Sequence, residues 1–172
     1  MSANSIPIDS EGRFAGYASV FGQVDQGGDI VMAGAFKKSL AKKGASGIRL
    51  LFQHDPKEPI GIWERIVEDG FGLWVEGRLL PGIERSDALR ALIEGGAVDG
   101  LSIGFRSERA SKDKASSYRR LWQINLWEIS IVTFPMMEGA RISSGVIVAD
   151  NDQRLDLRLA QSLGAAISLI KN

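Results

Sequence analysis

The chain has 172 residues, of which 44% are hydrophobic and 24% are charged, a composition typical of one globular domain with a sizeable core. Acidic and basic residues balance at 21 each, so the overall charge favours neither nucleic acid nor a membrane surface as a partner. Cysteine is absent, which excludes disulfides, thiolate metal sites and a cysteine nucleophile. No apolar run approaches the ~20 residues that span a bilayer, and the polar start resembles no signal peptide. We therefore expect a soluble cytoplasmic protein.

The first half of the sequence predicts two strands and a helix. Residues Arg13–Phe21 alternate aromatic and small side chains, as a strand does, and the glycine-rich stretch 22–28 predicts a loop. Apolar residues at helical spacing predict a helix over Ala33–Lys43. Ile48–Gln53 is a short apolar run that predicts a strand. It leads directly into His-Asp-Pro, which places His54 near a strand end or turn, because residues before proline avoid helix.

The second half predicts more strands than helices. Asp-Gly at 69–70 is a hairpin signal between two alternating runs, and the polar stretch 109–117 predicts a loop. The predicted elements are strands at Gly61–Glu68, Gly72–Leu80, Gly100–Ser107 and Arg119–Phe134, and helices at Ser86–Ile93 and Arg154–Ile170. Strands that mostly follow one another predict an α+β, mainly β fold. We expect a mostly antiparallel β-barrel or curled sheet flanked by helices.

His54 is the only histidine. One histidine cannot build a histidine-rich metal site, but it can act as a general base, which a serine nucleophile needs. Ser102 is the best candidate partner, because Gly100 and Gly104 leave space beside its hydroxyl. The letters resemble GxSxG, but the residues after Ser102 continue as a strand and the histidine precedes the serine, so we reject an α/β-hydrolase. On this pattern alone, a structural serine and a turn histidine are the commoner interpretations.

Glu128 is the best candidate to orient the histidine, because a carboxylate in an apolar strand needs a partner. Strand alternation places Glu128 on one face with Ser130 and Val132. The same pattern fits a half-exposed strand whose glutamate points into water. Asp99 and Glu76 are weaker alternatives.

Two arginines stand at the head of the last long strand. Arg119 and Arg120 are candidates to shape or support an oxyanion site, and a solvated basic pair is the alternative. The sequence contains no metal-ligand motif, and we expect neither a metal nor another cofactor. Four strand tryptophans predict core or rim packing rather than a stacking platform for bases; they are Trp63, Trp74, Trp122 and Trp127.

Four sequence blocks carry a resemblance to a known family. In chain order they are GYASVFGQVDQGGDIVMAGAF, LFQHDP with PIG after it, GLSIGF, and LWEISIVTFP. From about Arg13 to Ala140 the sequence resembles the prohead proteases of tailed bacteriophages, which are similar in fold to the herpesvirus maturation protease, assemblin. The resemblance implies a serine endopeptidase with His54 as general base, Ser102 as nucleophile and Glu128 at the acidic position. Herpesvirus enzymes use a second histidine, which this chain lacks, so a carboxylate or no third member must serve.

The resemblance also implies a place of action and partners. Such enzymes cut scaffold, or the scaffold-like region of the major capsid protein, and commonly themselves, inside assembling proheads in the cytoplasm of the bacterial host. The portal protein and a second copy of this chain are further expected partners; nucleic acid and membrane are not. We expect a flexible N-terminus over 1–12, a protease domain over 13–147 and a helical extension over 148–172. The alternatives are a catalytically inactive capsid-assembly or scaffold protein with the same fold, and a small β-barrel module that binds a peptide or small ligand.

Overall fold

The computed structural model describes residues 8–112 and 117–143. Strands account for most of these residues. The strands are β1 Arg13–Val20, β2 Asp29–Val31, β3 Arg49–Phe52, β4 Asp55–Glu68, β5 Gly72–Leu79, β6 Gly100–Lys112 and β7 Arg119–Val132, and the helices are α1 Lys37–Lys43 and α2 Glu84–Glu94. Within the described ranges, no helix is long and apolar enough to cross a membrane.

All seven strands belong to one curled sheet. Its order is β1-β5-β4-β3-β7-β2, and β6 also pairs with β7. Most pairs are antiparallel, whereas β2 and β3 each run parallel to β7. The predicted mainly antiparallel, curled sheet with flanking helices is therefore confirmed. β7 is the strand on which β2, β3 and β6 converge, and it positions the candidate site.

The core forms one continuous cluster of buried side chains from the strands and both helices. Phe14 of β1 is fully buried and packs edge-on against Trp63 of β4, with ring centroids 5.6 Å apart. Tyr17 packs in the same way against Trp74 of β5, at 4.9 Å. Trp122 and Trp127 are exposed, so two of the four tryptophans belong to the core and two to the surface.

β4 is longer than the sequence predicted. It begins at Asp55 instead of Gly61. Its first residues include Pro56 and Pro59, which lie where the β3–β4 pairing is irregular and shifts register. Proline lacks the N–H that a regular ladder needs but is tolerated at such irregular positions. The predicted polar loop likewise contributes residues 109–112 to β6.

α1 is shorter than predicted. It begins at Lys37, whereas the apolar spacing predicted a start at Ala33. Gly34 has a φ of +91°, a conformation that glycine accepts and a helix excludes. Within the stretch expected to be flexible, residues 8–12 are described: Ile8 is buried and bridges Phe14. The helix predicted at 154–170 lies outside the described residues.

Candidate active site

The turn between β3 and β4 carries His54. Phe52 pairs with Asp55, so Gln53 and His54 form a two-residue hairpin loop. Their φ angles are +53° and +59°, which is the type I′ geometry that normally selects asparagine or glycine. A left-handed conformation costs a residue with a Cβ roughly 1–2 kcal/mol. Such strain is typical of functional sites, and here it holds an imidazole where glycine would otherwise be preferred.

β7 and the residue that follows it, Thr133, hold this turn in place with three hydrogen bonds. The Gln53 N–H donates to the Ile131 carbonyl at 3.0 Å, and the Gln53 side-chain amide donates to Thr133 Oγ1 at 2.7 Å. The His54 N–H donates to Ser130 Oγ at 3.0 Å. Because β3 runs parallel to β7 just before the turn, the turn lies beside Ser130 and Ile131, near the C-terminal end of β7.

The pairing of β6 with β7 brings the serine and the glutamate to the same face. Ser102 lies opposite Ser130, and Gly104 lies opposite Glu128; directly opposite residues share a face of the sheet. The Glu128 side chain lies across Gly104. A Cβ at Gly104 would overlap Glu128 Oε1 and lie 2.6 Å from its Cδ. Gly104 therefore provides the space that the carboxylate occupies.

The three predicted residues form a continuous hydrogen-bonded chain. His54 Nδ1 lies 2.7 Å from Glu128 Oε1, and His54 Nε2 lies 3.1 Å from Ser102 Oγ. An ionised carboxylate can only accept, so Nδ1 carries the proton and Nε2 is free to accept the Ser102 hydroxyl. A hydroxyl, an imidazole and a carboxylate are thus aligned in the order that a serine, a general base and an orienting acid would require.

The electrostatics of the site follow from this contact. The hydrogen bond from the Glu128 carboxylate raises the pKa of His54 above its ordinary value, against the opposing effect of partial burial. The Glu128 side chain is 13% exposed, so it does not extend into water as the half-exposed alternative required. Its second oxygen, Oε2, accepts the Ser130 hydroxyl at 2.6 Å. Both oxygens of the largely buried carboxylate are therefore satisfied, as its burial demands.

The other candidate acids bind elsewhere. Asp99 pairs with Arg141, and Glu76 accepts the indole N–H of Trp74 at 3.0 Å. The geometry therefore favours Glu128 as the carboxylate that contacts the histidine.

The two predicted arginines lie at the far end of the β6–β7 hairpin. In the register of the two strands, Arg119 lies opposite Lys112 and Arg120 lies opposite Ser111, whereas Ser102 lies at the other end of the ladder. Arg119 donates two hydrogen bonds to Asp29, at 2.7 and 2.6 Å, and this contact raises the pKa of Arg119 above its ordinary value. The structure does not bring either arginine into the Ser102–His54–Glu128 chain, and their role stays a prediction.

A cavity of about 130 Å³ opens beside Ser102. Its lining is mostly apolar and includes Ile103, Phe105, Met136, Asp25 and Asp29. In the part of the chain that the structure describes, no group of three histidine or acidic side chains could hold a metal ion. Neither the cavity nor the contacts of Ser130 were predicted. The signal for Ser130 was its place in LWEISIVTFP, where alternation put it on the face of Glu128.

Known proteins resemble this chain in sequence and in structure. The prohead protease of Enterobacteria phage HK97 is 39% identical over 136 residues, which cover 78% of this chain and 60% of that protein. The chain thus spans less than two thirds of that relative. The bacteriophage T4 capsid assembly protease, gp21, has a similar structure: the TM-score is 0.61 at 16% identity, covering 77% of this chain and 90% of that one.

A herpesvirus enzyme is also similar in structure. The KSHV protease, solved in complex with a hexapeptide phosphonate inhibitor, has a TM-score of 0.53 at 11% identity, covering 87% of this chain and 75% of that one. At such low sequence identities, the structural similarity shows a shared fold alone. It confirms the predicted herpesvirus-protease-like architecture. At the level of sequence, the Caudovirus prohead serine protease family matches residues 2–154. This match covers most of the chain and agrees with the resemblance carried by the four blocks: the chain belongs to the Caudovirus prohead serine protease family.

Proposed function

We propose that this chain is a serine endopeptidase of prohead maturation, with Ser102 as nucleophile, His54 as general base and Glu128 as the residue that orients His54. The observation that carries the proposal is the unbroken hydrogen-bonded chain from Ser102 through His54 to Glu128. Membership of the protease family supports the reaction class. The intact contacts also favour an active enzyme over an inactive assembly protein, for which nothing would maintain this alignment.

The proposed reaction proceeds in two halves. His54 Nε2 takes the hydroxyl proton as Ser102 Oγ attacks the scissile carbonyl carbon, and the tetrahedral intermediate carries the negative charge on the former carbonyl oxygen. The C–N bond then breaks, His54 gives its proton to the leaving amine, and an acyl-enzyme remains. In the second half, water attacks the ester carbonyl while His54 takes its proton. The bond between the acyl carbon and Ser102 Oγ then breaks, His54 returns the proton to Oγ, and the carboxylic acid product leaves. Glu128 stabilises the imidazolium that forms in each half.

We propose a supporting role for Arg119 and Arg120. They pair with Asp29 and Ile30 of β2, and Asp29 and Val31 of the same strand line the cavity beside Ser102. The bidentate contact between Arg119 and Asp29 would thereby fix one wall of the space in which substrate lies. This role shapes the site from outside and does not require either guanidinium to contact the oxyanion.

The proposed substrates are the major capsid protein or scaffold of the same phage, and the chain itself. The relatives that support this are named as a prohead protease and as a capsid assembly protease. We place the reaction inside assembling proheads in the host cytoplasm. We further propose that residues 13–147 carry the activity, and that residues 148–172 are an extension outside the catalytic domain. The portal and a second copy of the chain remain proposed partners.

Co-expression with the major capsid protein of the same phage tests the proposal. The mass of the capsid protein is followed for the wild type, for Ser102→Ala and for Ser46→Ala, a control at an exposed serine. We expect the wild type and the control to shorten the capsid protein and Ser102→Ala to leave it at full length. Equal shortening by Ser102→Ala would show that Ser102 is not the nucleophile.

A further inference from the structure

Ser130 lies in the middle of the site but takes no part in the reaction described above. Its side chain is fully buried, between Ser102 on β6 and Leu51 on β3. A buried hydroxyl requires hydrogen-bond partners within the protein. Both partners of the Ser130 hydroxyl belong to the candidate site.

Chemistry fixes the direction of both hydrogen bonds. The His54 N–H can only donate, so Ser130 Oγ accepts it, at 3.0 Å. The Glu128 carboxylate can only accept when ionised, so the Ser130 hydroxyl donates its single proton to Oε2, at 2.6 Å. That proton is therefore directed at Glu128 and not at the imidazole of His54, and Ser130 is unsuited to act as a second nucleophile.

The contacts close a ring of hydrogen bonds around His54. Its backbone N–H is bound to the Ser130 hydroxyl, the hydroxyl is bound to Oε2 of Glu128, and Oε1 of Glu128 is bound to the imidazole Nδ1. The backbone and the imidazole of His54 are thus both fixed relative to the Glu128 carboxylate. A change in the rotamer of either His54 or Glu128 would break at least one of these bonds.

We infer that Ser130 is a positioning residue, which fixes the Glu128 carboxylate against the imidazole and holds the turn that carries His54. The effect on catalysis rests on the proposed function, whereas the effect on His54 itself does not. The matched control is Ser86, which is also buried and donates to the Ile60 carbonyl at 2.6 Å, away from the site. Loss of the Ser86 hydroxyl removes a comparable buried hydrogen bond without affecting the ring of hydrogen bonds around His54.

The single histidine makes the test direct, because the imidazole signals in an NMR titration belong to His54 alone. We expect Ser130→Ala to lower the pKa of His54 toward the ordinary imidazole value of about 6.5, because the carboxylate is no longer held against Nδ1. Ser86→Ala should titrate as the wild type. A folded Ser130→Ala variant whose His54 titrates as in the wild type would overturn the inference.

Two further measurements keep the inference testable. If Ser130→Ala does not fold, amide hydrogen exchange of the wild type decides: a protected His54 N–H supports the inference, and exchange at the rate of a free amide overturns it. In cleavage assays we expect Ser130→Ala to lower kcat roughly 10- to 100-fold with little change in KM, and Ser130→Thr, which keeps the hydroxyl, to recover most of it. Titration and exchange need no substrate, so they stand even if Ser102→Ala proves as active as the wild type.

Discussion

The two oxygens of the Glu128 carboxylate have different partners. Oε1 contacts the imidazole of His54 and Oε2 contacts the hydroxyl of Ser130. A carboxylate anchored at one oxygen presents the other in a fixed direction, which reduces the rotamer freedom that a catalytic contact would otherwise have to overcome. The position of His54 therefore depends on Glu128 in two ways, through charge and through geometry.

Replacement of the carboxylate by an amide separates these effects. Because the Glu128 carboxylate raises the pKa of His54, and only neutral imidazole can act as base, the acid limb of kcat/KM should lie above the ordinary imidazole pKa. In Glu128→Gln we expect that limb to move to lower pH while the plateau falls by roughly 10²- to 10⁴-fold. The measurement is the pH profile of cleavage. An acid limb that stays in place, or moves to higher pH, would contradict the assigned contact.

The same charge pair affects stability. A raised histidine pKa in the folded state means that protonated His54 stabilises the fold at low pH, and that this contribution is lost as the pH rises through the folded-state pKa. The ring is partly exposed, so solvent screens the effect.

At the residue scale, the sequence could identify groups but not contacts. His54 and Ser102 were predictable because the chain has one histidine and a serine flanked by glycines within blocks that resemble a family. The apolar strand made Glu128 the best candidate acid, with a glutamate that points into water as the alternative. Alternation placed Ser130 on the face of Glu128, but its contact with His54 was not predictable, because that contact depends on the register of β3, β6 and β7 together.

The β6–β7 hairpin is the element that sets the geometry of the site. Its register places Ser102 opposite Ser130 and Gly104 opposite Glu128. A shift of one residue would turn these side chains to the other face of the sheet. The buried residues of β7 that alternate with the site, Ile129 and Ile131, fix that register because their burial would be lost in any shifted pairing.

Gly104 is the glycine of this hairpin at which added volume would act directly on the Glu128 carboxylate. In Gly104→Ala the new methyl group would overlap the Glu128 carboxylate, so we expect the carboxylate to move from His54 and kcat to fall by about 10²-fold. Gly70→Ala is the control, since a Cβ there meets nothing within 4 Å. Both variants are assayed for cleavage and for unfolding by urea. Full activity in Gly104→Ala would show that the carboxylate position is not required.

Elements with clear alternation were predicted well. Others were missed because they contain proline or are too short to show a pattern. β5 and β7 matched their patterns closely. The start of β4 was missed because Pro56 and Pro59 normally argue against a strand. The three residues of β2 are too few to show a period, and its partner lies far along the chain.

At the scale of the whole molecule, one core links the site to distant strands. The cluster runs from Phe14 on β1 to the buried residues of β7 behind the site. The parallel pairs of β7 with β2 and β3 join segments distant in sequence. Strands that follow one another along the chain predicted a mostly antiparallel sheet, but these parallel contacts depend on the closed core and could not be predicted from any one segment.

Removal of a buried side chain from this core should lower the free energy of unfolding without changing the contacts of the candidate site. Phe14 is fully buried and contacts Trp63, so we expect Phe14→Ala to lower the free energy of unfolding by about 3–5 kcal/mol. Phe134 is 86% exposed, and Phe134→Ala should change it by less than about 0.5 kcal/mol. Urea unfolding measures both. Similar losses for the two variants would contradict the assigned core.

Covalent labelling tests most directly whether Ser102 is the nucleophile. Assembled proheads are treated with a serine-reactive fluorophosphonate, and the modified residue is found by peptide mapping with mass spectrometry. We expect a label on Ser102 in the wild type, no label on this peptide in Ser102→Ala, and much slower labelling in His54→Ala, because the hydroxyl then lacks its base. A label on another serine, or none in processing-competent particles, would contradict the assignment of Ser102 as nucleophile.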